Sequence, residues 1–142
     1  MLRGISPLFS PELLATIYRM GHGDELVFAD AYFPSDSLSG NVIRADGLKI
    51  GALLDAVLAL MPLDKYVESP MIMMSPCNGD QCDKSVEETY LEIARKYLPS
   101  LPPPQKLERF AFYDRTRKSF AIVKTGDTSN YANLIVKKGN FS

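Results

Sequence analysis

Residues 20–34 read MGHGDELVFADAYFP, and the segment Glu25-Leu-Val-Phe-Ala-Asp30 at their centre decides the fold class. Four consecutive apolar residues with no polar alternation are the pattern of a short strand covered on both faces. Such a strand belongs in the interior of an α/β sheet. The segment before it, Gly21-His22-Gly23-Asp24, reads as a tight loop. Asp30 falls at the strand's carboxyl end, the edge where open α/β sheets place their ligands.

Working outward, Ser10-Pro11-Glu12 opens a helix. Serine suits the N-cap, proline the first helical position, and an acid the positive helix end. Leu13, Leu14, Ile17 and Tyr18 then recur at helical spacing, and Gly21 stops the helix. On the far side, Phe33-Pro34-Ser35 leads into a polar loop, and Val42-Ile43-Arg44 is a short extended piece. Ile50, Leu53, Leu54, Val57, Leu58 and Met61 mark an amphipathic helix that Pro62 ends. Met71 to Met74 is a second apolar strand. Ser85 and Glu88 have capping-box spacing for a further helix, which Pro99 and the run Pro102 to Pro104 close. A helix over Arg109–Lys118, a strand over Phe120–Val123 and a strand over Leu134–Lys137 complete the chain. Helices alternating with short buried strands predict one compact α/β domain over residues 1–142, with helices packed on the faces of a largely buried sheet.

Composition limits the chemistry. The 142 residues are 46% hydrophobic and 23% charged, which is globular. Sixteen Lys and Arg against 17 Asp and Glu leave a net charge of −1, so there is no general electrostatic pull toward nucleic acid. The N-terminus has neither a long apolar run nor a small-residue cleavage site, and no stretch reaches the roughly 20 apolar residues of a membrane span. A soluble, cytoplasmic protein is expected. Cys77 and Cys82 are the only cysteines, with four residues between them in PCNGDQC and no second pair to complete a zinc site. Two free thiols are expected. No phosphate loop, dinucleotide fingerprint or nucleophile elbow is present.

The chain holds one histidine, His22. Histidine is the side-chain type that ordinarily titrates near neutrality, so His22 is the first candidate for acid–base chemistry. It also has a plain reading as a surface residue near a helix C-terminus, where the dipole favours a cation. Flanking glycines let a ligand approach closely, and if the loop folds over the strand end, His22 and Asp30 could flank one small molecule. Asp30 has its own plain reading, in local capping. Arg109 and Arg115 bracket the aromatics Phe110, Phe112 and Tyr113, and either could donate forked hydrogen bonds to a polyol or anion. Tyr131 and Asn133 alternate before the last strand, so they can share a face suited to sugar hydroxyls.

Several stretches together resemble the fucose mutarotase and ribose pyranase family, most closely its L-fucose mutarotase branch. They are GISPLFSPELL at 4–14, MGHGDELVFADAYFP at 20–34, VIRADG at 42–47, LDKYVESP at 63–70, ERFAFYDRTRKSFAIVKTGD at 108–127 and YANLIVKKG at 131–139. The resemblance implies a cofactor-free isomerase, with no metal, that interconverts α and β sugar anomers, L-fucose foremost. It implies His22 as proton donor and matches Asp30 to the family's site aspartate, which would position the sugar or support the proton transfer as His22's partner in acid–base catalysis. Arg109 and the segment Tyr131-Ala132-Asn133 would then contact the sugar. It implies a ring-shaped homo-oligomer, typically a decamer, with active sites near subunit interfaces. A ribose pyranase-type exchange on D-ribose, or sugar binding without catalysis, are the alternatives. Two positions depart from the family pattern. Tyr32 bears on the shape of the sugar pocket. Ala132 stands in place of glycine and would be strained if its backbone required a positive φ.

Overall fold

The computed structural model describes residues 1–77, 79–81 and 83–141. Among these, six strands form one mixed sheet: β1 (Glu25–Ala29), β2 (Val42–Ala45), β3 (Met71–Met74), β4 (Gln105–Leu107), β5 (Ala121–Thr125) and β6 (Leu134–Lys137), in the order β2-β5-β1-β6-β3-β4. Five helices surround it: α1 (Pro11–Arg19), α2 (Ser35–Leu38), α3 (Ile50–Leu58), α4 (Lys84–Arg95) and α5 (Arg109–Arg117). As its unalternating sequence predicts, β1 is interior, parallel to β5 on one side and antiparallel to β6 on the other.

Alternate residues of each strand feed two cores, because successive side chains point to opposite faces. Leu26 and Phe28 join Leu13, Ile17, Leu53, Leu54, Val57 and Tyr90 beneath α1, α3 and α4. Val27 and Ala29 join Phe33, Leu38, Ile72, Phe112 and Ile135 beneath α2 and α5.

The strand directions position the site. β5, β2 and β1 are mutually parallel, β6 runs against β1, and β3 runs against β6 with β4 parallel to it. Five of the six strands therefore end at one edge of the sheet, where β6 begins.

Helix starts follow from their caps. Ser10 Oγ accepts the Leu13 amide at 3.1 Å. At α3 the first residue outside the helix is Lys49, which supplies no side-chain cap. Asp127, from the turn after β5, accepts the Ile50 amide instead, at 3.2 Å. Glu108 accepts the Ala111 and Phe110 amides at 2.8 and 3.0 Å, and so fixes the first turn of α5, which carries Arg109.

Three elements differ from expectation. Helix α4 starts one residue before Ser85, because Asp83 is its cap and accepts both the amide (2.9 Å) and hydroxyl (2.6 Å) of Ser85. Strand β4 follows the proline run as a three-residue edge strand. Pairing with β3 alone makes it a strand, since Gln105-Lys106-Leu107 has no buried alternation to reveal it. Helix α2 is a single turn within the expected loop.

At the opposite edge, β6 runs into Lys138 and Gly139, which press against residues 62–64. The Gly139 amide donates to the Pro62 carbonyl at 2.9 Å, and the Asp64 amide donates to the Lys137 carbonyl at 2.9 Å. A Cβ on Gly139 would strike the Leu63 carbonyl and come within 2.7 Å of the Asp64 Cα. Gly139→Ala is therefore expected to force these two backbones apart and destabilise the chain by about 1–3 kcal/mol. Urea unfolding of the variant checks this.

Candidate active site

A cleft of about 540 Å³ opens at the sheet edge where five strands end. Small-molecule sites run to roughly 300–1,000 Å³. Asp30 leaves β1 into it, Arg109 enters from the start of α5, and Tyr131 and Asn133 approach β6 from the preceding loop. Tyr32 and Tyr113 add aromatic walls. Sequence reasoning named Asp30, Arg109, Tyr131 and Asn133 from three distant segments and tied Tyr32 to the shape of the pocket, and the fold brings these five together.

Asp30 is 7% exposed and Asn133 5% exposed. The Asp30 amide donates to Asn133 Oδ1 at 2.7 Å, which locks the start of β6 to the end of β1. The Tyr32 amide donates to Asp30 Oδ1 at 3.0 Å. Burial pushes the Asp30 carboxyl above the ordinary carboxylate value. Hydrogen bonds from Tyr32, Phe33 and Asn133 and the charge of Lys124 act in the opposite direction without cancelling it. Lys124 is itself held by the Phe33 carbonyl at 2.6 Å. The cleft thus contains a carboxyl that binds a proton more readily than a surface aspartate.

Tyr131 has φ 56°, the single non-glycine positive φ among the described residues. This left-handed turn aims its hydroxyl across the cleft, where it donates to Asp80 and accepts the Cys77 amide at 2.9 Å. The bond to Asp80 is the main cause that pushes the phenol up to about 12. Backbone strain therefore falls on Tyr131, and Ala132 escapes it. Ala132 is fully buried in the core under α1, α3 and α4, and its carbonyl accepts the Tyr90 hydroxyl at 2.7 Å. Of the expected Tyr131-Ala132-Asn133 contact segment, the two flanking residues line the cleft, and Ala132 supports them from behind.

Arg109 and Arg115 part company. The Arg109 guanidinium lies 4.7 Å from the Phe110 ring centroid, and no ion pair engages it among the described residues. Its hydrogen-bond fork is available to a ligand. Arg115 faces the other edge of the sheet, clamped on Glu25 by bonds of 2.6 and 3.0 Å. Cys77, a free thiol, lines the cleft, while Cys82 lies outside the described residues.

His22 is at the far end of β1. A strand rises ~3.3 Å per residue, so the five residues of β1 alone separate the two positions by about 16 Å. The loop does not fold over the carboxyl end, because the Gly23 amide ties it to the Lys138 carbonyl at 2.8 Å, at the end of β6. Within one chain, His22 and Asp30 therefore do not flank a common ligand. The His22 side chain is 43% exposed, with Nε2 3.1 Å from Asp64 Oδ1 and the ring 5.7 Å from that of Tyr66.

Asp64 is the residue sequence reasoning missed. It is 3% exposed. Burial would raise its carboxyl, but the Tyr66 amide, the bond to His22 and the charges of His22 and Lys137 outweigh that and hold it below the ordinary value. A depressed folded value stabilises the fold above the ordinary carboxylate range, and that stability is lost as pH falls through the folded value. Asp64→Asn is thus expected to cost stability at neutral pH and progressively less in acid. Urea midpoints measured across that range check the slope.

Comparison with known proteins places this geometry. The sequence profile of the RbsD / FucU transport protein family matches residues 3–141. The chain belongs to that family. It is 50% identical over 139 residues to the L-fucose mutarotase of Actinobacillus pleuropneumoniae serotype 5b, covering 98% of this chain and 96% of that protein. The fucose mutarotase of Streptococcus pneumoniae, solved in complex with L-fucose, superposes with a TM-score of 0.94 at 45% identity, over 99% of this chain and 100% of that one. FucU from Bifidobacterium longum superposes with a TM-score of 0.95 at 36% identity, over 99% and 100%. The six-stranded sheet with helices on both faces is thus a fold this family shares.

Proposed function

We propose that this chain is an isomerase that interconverts the α and β anomers of L-fucose. The observation that carries the reading is the full-length likeness to a fucose mutarotase holding L-fucose, joined to a cleft in this chain lined by Asp30, Arg109, Tyr131 and Asn133. Mutarotation breaks the C1–O5 bond of the ring. The O1–H electrons become the carbonyl, the O1 proton leaves to a base, and O5 takes a proton from an acid. Closing on the other face reverses these transfers. Asp30 and Arg109 hold the hydroxyls, and Asn133 keeps Asp30 in place.

His22 is the acid. Since its own chain holds it at the other sheet edge, the His22 that meets the sugar belongs to a second copy of the chain. The remote, half-exposed position of His22 supports this. A ring of copies, a decamer on the family pattern, supplies that neighbour, and native mass spectrometry tests the number. Action in the cytoplasm accords with the free thiol of Cys77. No helix among the described residues is long and apolar enough to cross a membrane.

Saturation-transfer NMR on L-fucose, with D-ribose as comparison, tests the activity. Faster exchange on L-fucose is expected, and exchange no faster than in buffer would overturn the reading. Asp30→Asn keeps the shape and an acceptor for Tyr32 but removes the charge-assisted bond to the sugar. Such bonds are worth about 1.5–3 kcal/mol, so anomer exchange should slow by about 10–100-fold. An unchanged rate would remove Asp30 from the site.

A further inference from the structure

We infer that Asp64 is a positioning residue: its buried carboxylate holds the Nε2 proton of His22, so Nδ1 is the nitrogen that exchanges a proton with the sugar. The inference rests on His22 as the acid. The buried carboxylate makes the choice for the ring. Asp64 Oδ1, 3.1 Å from Nε2, can only accept, which requires hydrogen on Nε2. The Asn140 side-chain amide stands 3.5 Å from Nδ1, at the outer limit of a hydrogen bond.

Asp64 is suited to hold this setting. Its Oδ1 also accepts the Tyr66 amide at 3.0 Å, its own amide is bound to Lys137 of β6, and Gly139 packs against its backbone. The carboxylate therefore has a fixed place on the rigid sheet, whereas His22 sits on a glycine-flanked loop. The ring tilts over Tyr66 at 43° with its Nδ1 edge away from the buried carboxylate. In the reaction, the Nδ1–H of the imidazolium goes to O5 as C1–O5 breaks, while the O1 proton passes to Asp30 or water. Ring closure returns both protons. The other proton stays on Nε2, donated to Asp64 throughout, so the ring need not turn between the two directions of the reaction.

The chain has one histidine, so each copy gives one imidazole signal. Long-range ¹H–¹⁵N correlation of ¹⁵N-histidine-labelled native protein reads its tautomer directly. The expected result is hydrogen on Nε2 and a pyridine-like Nδ1 in the neutral ring. Asp64→Ala should populate both tautomers and slow L-fucose anomer exchange by about 10–100-fold. Asp64→Asn, which keeps an oxygen acceptor, should restore the tautomer and part of the rate. A native ring protonated on Nδ1 would overturn the inference, whether or not the variants fold. So would an Asp64→Ala protein that exchanges anomers at the native rate. If the native chain does not accelerate exchange at all, the activity reading fails, and the tautomer still decides whether Asp64 holds Nε2.

Discussion

Replacing His22 with alanine is expected to lower anomer exchange on L-fucose by about 10²–10⁴-fold, the range for one general acid–base group. The residual rate should approach that of buffer, because the hemiacetal opens slowly by itself. The fold should survive. The ring is 43% exposed, and its one close ion-pair partner, Asp64, retains the Tyr66 amide. Circular dichroism and the urea midpoint should therefore change far less than the rate. Native-like exchange in this variant would take His22 out of the chemistry and leave Asp30 as the remaining candidate.

The sheet was legible because its strands are buried. Leu26–Ala29, Met71–Met74 and Leu134–Val136 are unalternating apolar runs, and each is a strand covered on both sides. Elements made by contacts elsewhere were not legible. Strand β4 depends on its neighbour β3, and the α3 start depends on Asp127, 77 residues away in sequence. The cleft residues were legible as types, because an acid at a strand end and a Tyr-x-Asn before a strand have few ways to be placed. Local spacing carried no sign that Arg109 would reach the cleft and Arg115 be sequestered. That sorting follows from where Glu25 lies on β1. Asp64 was hidden for the same reason: nothing local to Leu63-Asp64-Lys65 marks the acid as buried, and it is the pairing of Leu63 with Lys138 beyond β6 that buries the carboxylate.

The separation of His22 from Asp30 along β1 leads to the second large effect, which needs two inactive proteins. If every site takes His22 from one copy and Asp30 from another, His22→Ala and Asp30→Asn assemblies, each slow alone, should regain activity when mixed under conditions that exchange subunits. In a random 1:1 mixture about a quarter of the sites pair a native His22 with a native Asp30, since each partner is native in half of the copies. Recovery to about a quarter of the native rate is therefore expected, against a background from either variant alone that is at least about tenfold below the native rate. The double variant His22→Ala/Asp30→Asn, mixed with native chain in equal parts, gives the same quarter of intact sites and serves as the calibration. If subunits exchange, the two single variants do not recover and the control stays at about half of the native rate, the value when each native chain keeps its own site, then the site lies within one chain. The loop carrying His22 would then have to leave Lys138 and cross the length of β1 to reach the sugar. The 2.8 Å bond from Gly23 and the 3.1 Å contact with Asp64 oppose that movement.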